Sequence, residues 1–508
     1  MFAEVLNDEF LLAAAQRTRL NLEKVLERWE QRERSDDEPL AYFSAQKTDD
    51  GLLAYFAAED IDDGPLVEVF AKDIHDRSLL EVFAEDIHDG SLVKVFAEDI
   101  HDGSLVKVFA EDIRGVIDEL HRACRELESE RDRESAWMCI PSIPILAILQ
   151  SELTSLLEQR RTAFAELDDD IVGSRIGEDI AQLPGGMVVM GLFGPKEPSD
   201  PGWLWMRVVK AWYWFKHKVT FGGLPVQPVD IADDARIVLV GDWGSGLKRA
   251  QKVAGQIRLI LNEGLDEGRQ QHVIHLGDVY YTGSRREYEM NFLQHWPVNP
   301  GEDIDSFIVC GNHDMYRGGH DYYGTALADS RFAKQAQRSV FALRNENWQF
   351  LGLDTAYEEK RISNGQIKWI EDQLNSTHNV RTTVLSHHQL WSAYSDAGEG
   401  LRNQIGPVLE GRRIDAWFWG HEHRCLVYEP RDGVEFSSCV GHGGIPSYLI
   451  PEQHRPYPPT LRYDYRERHG NGHEPWNTFG FAVIDLDGRD MHVRYIDESG
   501  NMHHEEDL

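Results

Sequence analysis

Five short segments of this chain place Asp, Asn or His directly after a run of strand-forming residues. In chain order they are Gly241-Asp242-Trp243-Gly244, Gly277-Asp278, Gly311-Asn312-His313-Asp314, Ser386-His387-His388 and Gly420-His421-Glu422-His423. The preceding runs are rich in valine, isoleucine, leucine and aromatic residues, which predicts buried strands. Most of these segments begin with glycine, which lets the backbone turn sharply. The polar side chains are therefore expected at the carboxyl ends of strands, where open α/β sheets bind ligands.

The residue types in these segments indicate a metal centre. Carboxylate, amide and imidazole groups suit divalent and trivalent transition ions. Two ions about 3.5 to 4 Å apart need an anionic ligand between them. A single Gly-Asp after a strand is a common turn. Five such segments in one chain favour two metal ions held at converging strand ends.

The order of these motifs resembles the calcineurin-like metallophosphoesterase superfamily over residues 235 to about 445, and within it the purple acid phosphatase branch. Most of the superfamily begins with Asp-x-His, whereas this chain has Asp242-Trp243-Gly244. In the branch, a tyrosine three residues after the second-motif aspartate binds the metal instead. Counting from Asp278 selects Tyr281, and aligning from Thr282-Gly283 selects Tyr280. The resemblance implies a four-layer α/β/β/α sandwich.

The resemblance also implies the ligands of two metal ions, with the Asp278 carboxylate between them. The first ion would be held by Asp242, Asp278, Tyr281 and His423. The second would be held by Asp278, Asn312, His387 and His421. His387 is preferred to His388 because an aromatic residue, Trp391, follows four positions later. If Tyr281 ligates, the ions would be Fe(III) with Fe(II), Zn or Mn; otherwise Mn, Zn or Fe(II).

The activity that the resemblance implies is phosphoester hydrolysis by a metal-bound hydroxide, with a phosphomonoester as the first choice of substrate. His313 would face the phosphate and Asp314 would orient its ring. Further substrate contacts are assigned to Asn312, Arg317 and His442. The family often has another histidine nine residues after His387, where this chain has Asp396. That departure leaves leaving-group protonation and the pH optimum open.

Two other functions stay open on the sequence. The first is a phosphodiesterase acting on a nucleotide or cyclic nucleotide. The second belongs to another class: a non-catalytic metal-binding scaffold with an interaction region. Every predicted ligand position carries a competent residue, which favours an enzyme over the scaffold.

Composition limits the partners and the compartment. The 508 residues include 87 acidic and 52 basic side chains, a net charge of -35, which argues against general nucleic-acid binding. The five cysteines are odd in number and are not closely paired in the sequence, which argues for a reducing compartment. The start of the chain has no secretory signal pattern, and no apolar run reaches about 18 residues. We therefore expect a cytoplasmic protein with no transmembrane segment.

Patterning divides the chain into five regions. They are a helical N-terminal segment over 1–35, acidic 13-residue tandem repeats over 36–113, a helical and aromatic-rich connecting region over 114–230, the catalytic domain over 231–497 and a C-terminal tail over 498–508. The repeats carry 21 acidic and 5 basic residues. Short helical turns are favoured for them over hairpins. They are interpreted either as a site for a protein partner or as an acidic spacer.

Overall fold

The computed structural model describes most of the second half of the chain and parts of the first. The described ranges are 43–48, 51–56, 114–125, 143–165, 214–377, 379–394, 398–449, 461–469 and 476–508, with scattered positions between 14 and 26 and between 208 and 212. The chain divides into two compact units, which are treated separately. One comprises residues 1–5, 128–155 and 211–508, and the other comprises residues 6–127 and 156–210.

The strands of the described residues fall into three sheets. In chain order they are β1 Phe43–Thr48, β2 Gly51–Phe56, β3 Val229–Asp230, β4 Arg236–Val240, β5 Gln271–His275, β6 Asp305–Ile308, β7 Phe341–Arg344, β8 Trp348–Gly352, β9 Arg381–Ser386, β10 Ile414–Trp419, β11 Cys425–Tyr428, β12 Val434–Val440, β13 Leu461–Asp464, β14 Gly480–Asp487, β15 Asp490–Asp497 and β16 Met502–Asp507. The helices are α1 Pro144–Ala165, α2 Lys248–Asp266, α3 Arg285–Glu287, α4 Asn364–Ser376 and α5 Glu399–Leu409. Residues 114–125 are also helical, and there are short helical turns at Tyr288–Leu293, His313–Met315, Tyr322–Ala326 and Ser330–Gln335.

Two twisted sheets stack face to face in the larger unit. An eight-stranded sheet has the order β13-β11-β12-β10-β9-β8-β7-β3, and a six-stranded sheet has the order β16-β15-β14-β4-β5-β6. Apolar side chains from both sheets, such as Ile237, Phe350 and Phe418, form one core between them. The outer face of each sheet is covered by helices, α2 on the smaller sheet and α4 with α5 on the larger. This is the predicted four-layer α/β/β/α sandwich, and the prediction is confirmed.

Helix α2 illustrates how the layers are held. Its buried positions include Val253, Ile257 and Leu261, which recur every four residues and so lie on one face of the helix. That face packs on β4 and β5 of the six-stranded sheet. Each fully buried aliphatic side chain contributes about 1.5 to 3 kcal/mol relative to exposure.

The strands that carry the sequence motifs are parallel neighbours. In the six-stranded sheet β4, β5 and β6 pair in parallel, and in the eight-stranded sheet β9 and β10 do so. Their carboxyl ends therefore lie at one edge of each sheet. All residues of β4, β5 and β10 are buried, as the apolar runs predicted.

Two predictions made for regions outside the catalytic domain are corrected. Residues 43–56 lie in the repeats, and their described part is an antiparallel hairpin of β1 and β2 instead of helical turns. The pairing runs from Phe43 opposite Phe56 to Thr48 opposite Gly51, and the aromatic residues of these segments favour strands. The later repeats lie outside the described residues. At the other end, β16 of the predicted tail pairs along β15, so the sheet continues almost to the last residue.

The first half of helix α1 belongs to the larger unit and packs against other elements of it. Residues 145–153 of this helix are all buried. Ser151 Oγ donates to Glu287 Oε1 at 2.8 Å, and the Thr282 hydroxyl donates to Ser151 Oγ at 3.2 Å. The carboxylate of Glu152 forms an ion pair with Arg317. Helix α1 thus contacts the chain segments that follow Tyr281 and Asp314.

No helix within the described ranges is long and apolar enough to cross a membrane.

Candidate metal centre

Two carboxylates enter the site from neighbouring strands. Asp242 follows β4 and Asp278 follows β5, and both are fully buried. Their φ angles are 54° and 73°, a left-handed conformation that is uncommon outside glycine. His421 and His423 also have positive φ, at 68° and 51°. Strained backbone of this kind concentrates at functional sites, where the surrounding structure holds side chains in one direction.

The first cluster of donor atoms contains Asp242, Asp278, Tyr280 and His423. The Tyr280 hydroxyl lies 2.8 Å from Asp242 Oδ1, 3.3 Å from Asp278 Oδ2 and 3.0 Å from His423 Nε2. His423 Nε2 is in turn 3.3 Å from Asp242 Oδ1. These four side chains come from three strand ends and meet at one point.

The second cluster contains Asp278, Asn312, His387 and His421. His387 Nε2 lies 3.3 Å from Asp278 Oδ2, 3.1 Å from Asn312 Oδ1 and 3.2 Å from His421 Nδ1. The same oxygen of Asp278 therefore belongs to both clusters. Among the residues described, the combination of Asp242, Asp278 and His387 has the spacing of a metal site.

The donor chemistry of these clusters fits cations. His387 Nδ1 lies 2.8 Å from the Leu276 carbonyl, so in the neutral ring Nδ1 carries the hydrogen and Nε2 presents a lone pair. That lone pair faces the Asp278 carboxylate and the Asn312 amide oxygen, which are also acceptors. Metal–ligand bonds of about 2.0 to 2.1 Å place neighbouring ligand atoms about 3 Å apart. The spacing of both clusters is of this size.

Electrostatics support the same conclusion. Burial would lower the pKa of His387, but the Asp278 carboxylate outweighs it and raises the pKa to about 9. Burial holds the pKa of His421 well below its ordinary value, with His388 and His387 acting in the same direction. The pocket thus attracts positive charge while keeping His421 neutral, the form that binds metals.

The tyrosine of the first cluster differs from the sequence prediction. Tyr281 was predicted as a ligand, yet the hydroxyl that lies among the donor atoms belongs to Tyr280. Tyr281 contributes its backbone carbonyl, 2.6 Å from His313 Nδ1. The alternative alignment from Thr282-Gly283 selects Tyr280, the tyrosine whose hydroxyl lies among the donor atoms.

Most of the predicted ligand residues are brought together as expected. Asn312 is fixed because its Nδ2 donates to the Tyr316 hydroxyl at 2.8 Å, which turns Oδ1 toward His387. His388 instead contacts the Thr355 hydroxyl through Nδ1 at 2.9 Å. His387 Nε2 contacts Asp278 and Asn312, whereas His388 lies with His387 and His421 in a second group of donors that has metal-site spacing. Tyr316 and Thr355 were not found from the sequence, since neither belongs to a recognisable motif.

Comparison with known proteins agrees with this geometry. Residues 235–425 match the calcineurin-like phosphoesterase family. The chain is 22% identical to tartrate-resistant acid phosphatase type 5 of Homo sapiens over 311 residues, which are 52% of this chain and 88% of that protein. It is 24% identical to the Sus scrofa protein of the same name over 309 residues, 52% of this chain and 84% of that protein. Residues 235–425 thus form a calcineurin-like phosphoesterase domain, and the chain is similar to purple acid phosphatases.

Among solved structures, one match is described as GAP50, the anchor in the inner membrane complex of Plasmodium. It has a TM-score of 0.40 and 14% identity, and it covers 54% of this chain and 88% of that chain. The predicted resemblance is confirmed by the family match and the two acid phosphatases. The chain is accordingly a metal-dependent phosphoesterase.

Asp314 in the phosphoesterase domain has a different role from the one predicted. Its carboxylate accepts hydrogen bonds from the backbone amides of Asp278 at 3.0 Å, Val279 at 3.0 Å and Gly311 at 2.7 Å, and from the Tyr288 hydroxyl at 2.6 Å. The His313 ring bonds to Tyr281 instead of to Asp314. Asp314 therefore ties two ligand-bearing turns together, because peptide groups at strand ends need an acceptor.

We expect Asp314→Asn to destabilise the phosphoesterase domain. Burial and the Asp278 carboxylate raise the pKa of Asp314 to about 7, while the hydrogen bonds it accepts act in the other direction. An amide offers one oxygen where the carboxylate offers two, so buried N–H groups lose their acceptor at a cost of about 1 to 3 kcal/mol. Urea unfolding of the metal-free protein measures this loss. Unchanged stability together with reduced activity would instead support an orienting role toward His313.

The weaker substrate assignments are placed elsewhere. Arg317 pairs with Glu152 of helix α1, so a contact with phosphate would require that ion pair to open. His442 is buried beside Cys425 and His503, outside both donor clusters. Asp396 lies outside the described residues.

Proposed function

We propose that this protein hydrolyses a phosphomonoester at a binuclear metal centre. The observation that carries the proposal is the Asp278 Oδ2 oxygen, which lies 3.3 Å both from the Tyr280 hydroxyl of the first donor cluster and from His387 Nε2 of the second. One anionic oxygen between two neighbouring sets of donors is what a pair of bridged ions requires. The proposed ligands are Asp242, Asp278, Tyr280 and His423 for one ion, and Asp278, Asn312, His387 and His421 for the other.

The protein groups divide the work around these ions. When bound, the two ions acidify a water and neutralise charge on the phosphoryl oxygens. His313 is held by its amide, which donates to Asp278 Oδ1 at 2.9 Å, and by Nδ1 against the Tyr281 carbonyl. The Tyr281 carbonyl can only accept, so Nδ1 carries the hydrogen in the neutral ring and Nε2 presents a lone pair. Nε2 can donate to a phosphoryl oxygen only when the ring is protonated. The His313 ring lies 4.7 Å from that of Tyr280, adjacent to the first donor cluster. Burial lowers the pKa of His313, whereas the Asp278 carboxylate and the Tyr281 carbonyl act in the opposite direction. Donation from Nε2 to a phosphoryl oxygen would therefore require the ring to gain a proton in the site.

The monoester preference follows from the two acid phosphatases, whose names give that class of substrate. The test compares nitrophenyl phosphate with its bis-ester on the metal-loaded full chain. We expect the monoester to be cleaved with the higher kcat/KM. Cleavage of the diester alone would reverse the assignment toward a nucleotide or cyclic-nucleotide phosphodiesterase. Absence of hydrolysis of either ester by protein that holds two metal ions would favour the scaffold.

The identity of the first metal depends on Tyr280. Burial and the Asp242 and Asp278 carboxylates raise the pKa of the Tyr280 phenol well above its ordinary value, so only a strongly acidic ion such as Fe(III) would ionise it there. We expect iron-loaded protein to show a tyrosinate-to-iron charge-transfer band that disappears in Tyr280→Phe. Tyr281→Phe is the matched control and should retain the band. Loss of the band in Tyr281→Phe alone would restore the assignment made by counting from Asp278.

A further inference from the structure

A second cluster of metal-binding side chains lies beside the phosphoesterase centre. Cys425 begins β11 in the eight-stranded sheet, His442 follows β12, and His503 lies on β16 at the edge of the six-stranded sheet. The Cys425 sulfur and one ring nitrogen of each histidine all lie within 4.8 Å of one another. Cys425 and His442 are buried and His503 is half-buried. Three distant parts of the chain therefore bring soft and borderline donors to one place.

Three ring nitrogens of this cluster lack partners. Within the described part of the chain, neither ring nitrogen of His442 has a hydrogen-bond partner, although the side chain is only 2% exposed. Nε2 of His503 also lacks a hydrogen-bond partner, whereas Nδ1 of the same ring lies 3.0 Å from the Tyr463 hydroxyl. Buried polar groups in folded proteins are nearly always satisfied, and exceptions point to a bound water or ion. A cation beside a thiol would satisfy lone pairs that no neighbouring donor reaches.

His503 is held as a metal-ligating histidine usually is. The His503 ring stacks on Tyr465 with centroids 3.7 Å apart and planes 6° apart, and Tyr463 contacts its Nδ1. Partners of this kind fix the orientation of a ligand ring and leave its other nitrogen to the metal. A side chain at position 480 would collide with the other histidine, because a Cβ on Gly480 would lie 2.6 Å from His442 Nε2. Glycine there leaves room for the ring.

We propose that Cys425, His442 and His503 bind a third metal ion, a zinc in the first instance, separate from the pair at Asp278. One thiolate and two imidazoles are a donor set that zinc accepts, with a water at the half-buried side as the fourth ligand. The ion would fasten β16 to the β11–β12 region. His423 precedes Cys425 by two residues. Gly441 directly precedes His442, and the Asp242 carboxylate packs against the α-carbon of Gly441. The proposal does not rest on the proposed function.

The test uses cobalt as the probe on the full chain after chelator treatment. A thiolate ligand gives bound Co(II) an intense near-ultraviolet charge-transfer band. We expect this band in the wild-type chain and in Asp278→Asn. In Cys425→Ser we expect the band to be absent and the content of bound metal to fall by one equivalent. Cys439→Ser is the matched control: Cys439 is a buried cysteine on neighbouring β12 whose sulfur lies 3.3 Å from the Arg424 carbonyl, and it should keep the band.

A second variant guards against misfolding of Cys425→Ser. His503 lies half-buried on an edge strand, so His503→Gln should fold, as circular dichroism would verify. We expect zinc to raise the melting temperature of Asp278→Asn and to lose that effect when His503→Gln is added. A cobalt spectrum without a thiolate band, or a band and metal content unchanged in both Cys425→Ser and His503→Gln, would overturn the proposal.

Discussion

Replacing Asp278 with asparagine is expected to lower phosphoester hydrolysis by about 10³-fold or more. Oδ2 of this residue is the one atom shared by both donor clusters, and Oδ1 accepts the His313 amide hydrogen at 2.9 Å. Asparagine keeps the size and shape of the side chain but removes the negative charge that two cations would share. It also turns an acceptor into a donor at one of these two positions.

Steady-state kinetics with nitrophenyl phosphate and metal analysis of the same samples measure the effect of Asp278→Asn. The matched control is Asp305→Asn, at the opposite end of neighbouring β6, which should retain wild-type kinetics. We expect the Asp278 variant to fold, since no volume is added to a buried site. Activity within tenfold of wild type would contradict a bridging role for Asp278.

Gly311→Ala is expected to damage the centre without changing any ligand. A Cβ at this position would overlap Asp278 Oδ1 and would lie 2.5 Å from the Asp278 amide nitrogen. Gly311 does not need a positive φ, so the effect would come from this collision and not from backbone strain. Forcing a methyl group into such a site costs about 1 to 3 kcal/mol. Displacement of the Asp278 carboxylate should weaken metal binding by about 10- to 100-fold.

Competition with a chelator for bound metal measures the change in affinity in Gly311→Ala. Gly255→Ala in helix α2 is the control, because a Cβ there meets no atom within 4 Å. That substitution should raise stability by about 0.5 to 1 kcal/mol, since alanine loses less backbone entropy than glycine in a helix. Equal metal affinity in both alanine variants would show that Asp278 tolerates the added methyl group.

The strand ends were predictable because each depends on local signals. A buried apolar run, a glycine and a polar residue are all visible within a few positions, as at Leu276-Gly277-Asp278. Their meeting point follows from the parallel pairing of the strands. The tyrosine was not predictable in the same way, since Tyr280 and Tyr281 are adjacent and identical in type. The choice between them depends on whether the motif is aligned from Asp278 or from Thr282-Gly283.

Other features depended on contacts that no local pattern contains. The amides that Asp314 binds belong to residues 278, 279 and 311, and the first two come from a different strand end. The repeats carry both helix and strand signals within a 13-residue period, so the hairpin of β1 and β2 was not distinguishable from helical turns. His442, in Gly441-His442-Gly443-Gly444, was interpreted as a residue that lines the pocket or as a turn histidine, whereas its neighbours Cys425 and His503 are distant in sequence.

Helix α1 extends the catalytic domain beyond the boundary expected from the sequence. The family match starts at residue 235, and the domain boundary drawn from the sequence stands at 231. Ser151 and Glu152 nevertheless contact Glu287 and Arg317, beyond that boundary. A polypeptide cut at 231 would expose the apolar surface that residues 145–153 cover and would leave two charged groups without these partners. The smallest transferable form of the catalytic domain is thus discontinuous in sequence. Moving this domain into another protein would require helix α1 to be included.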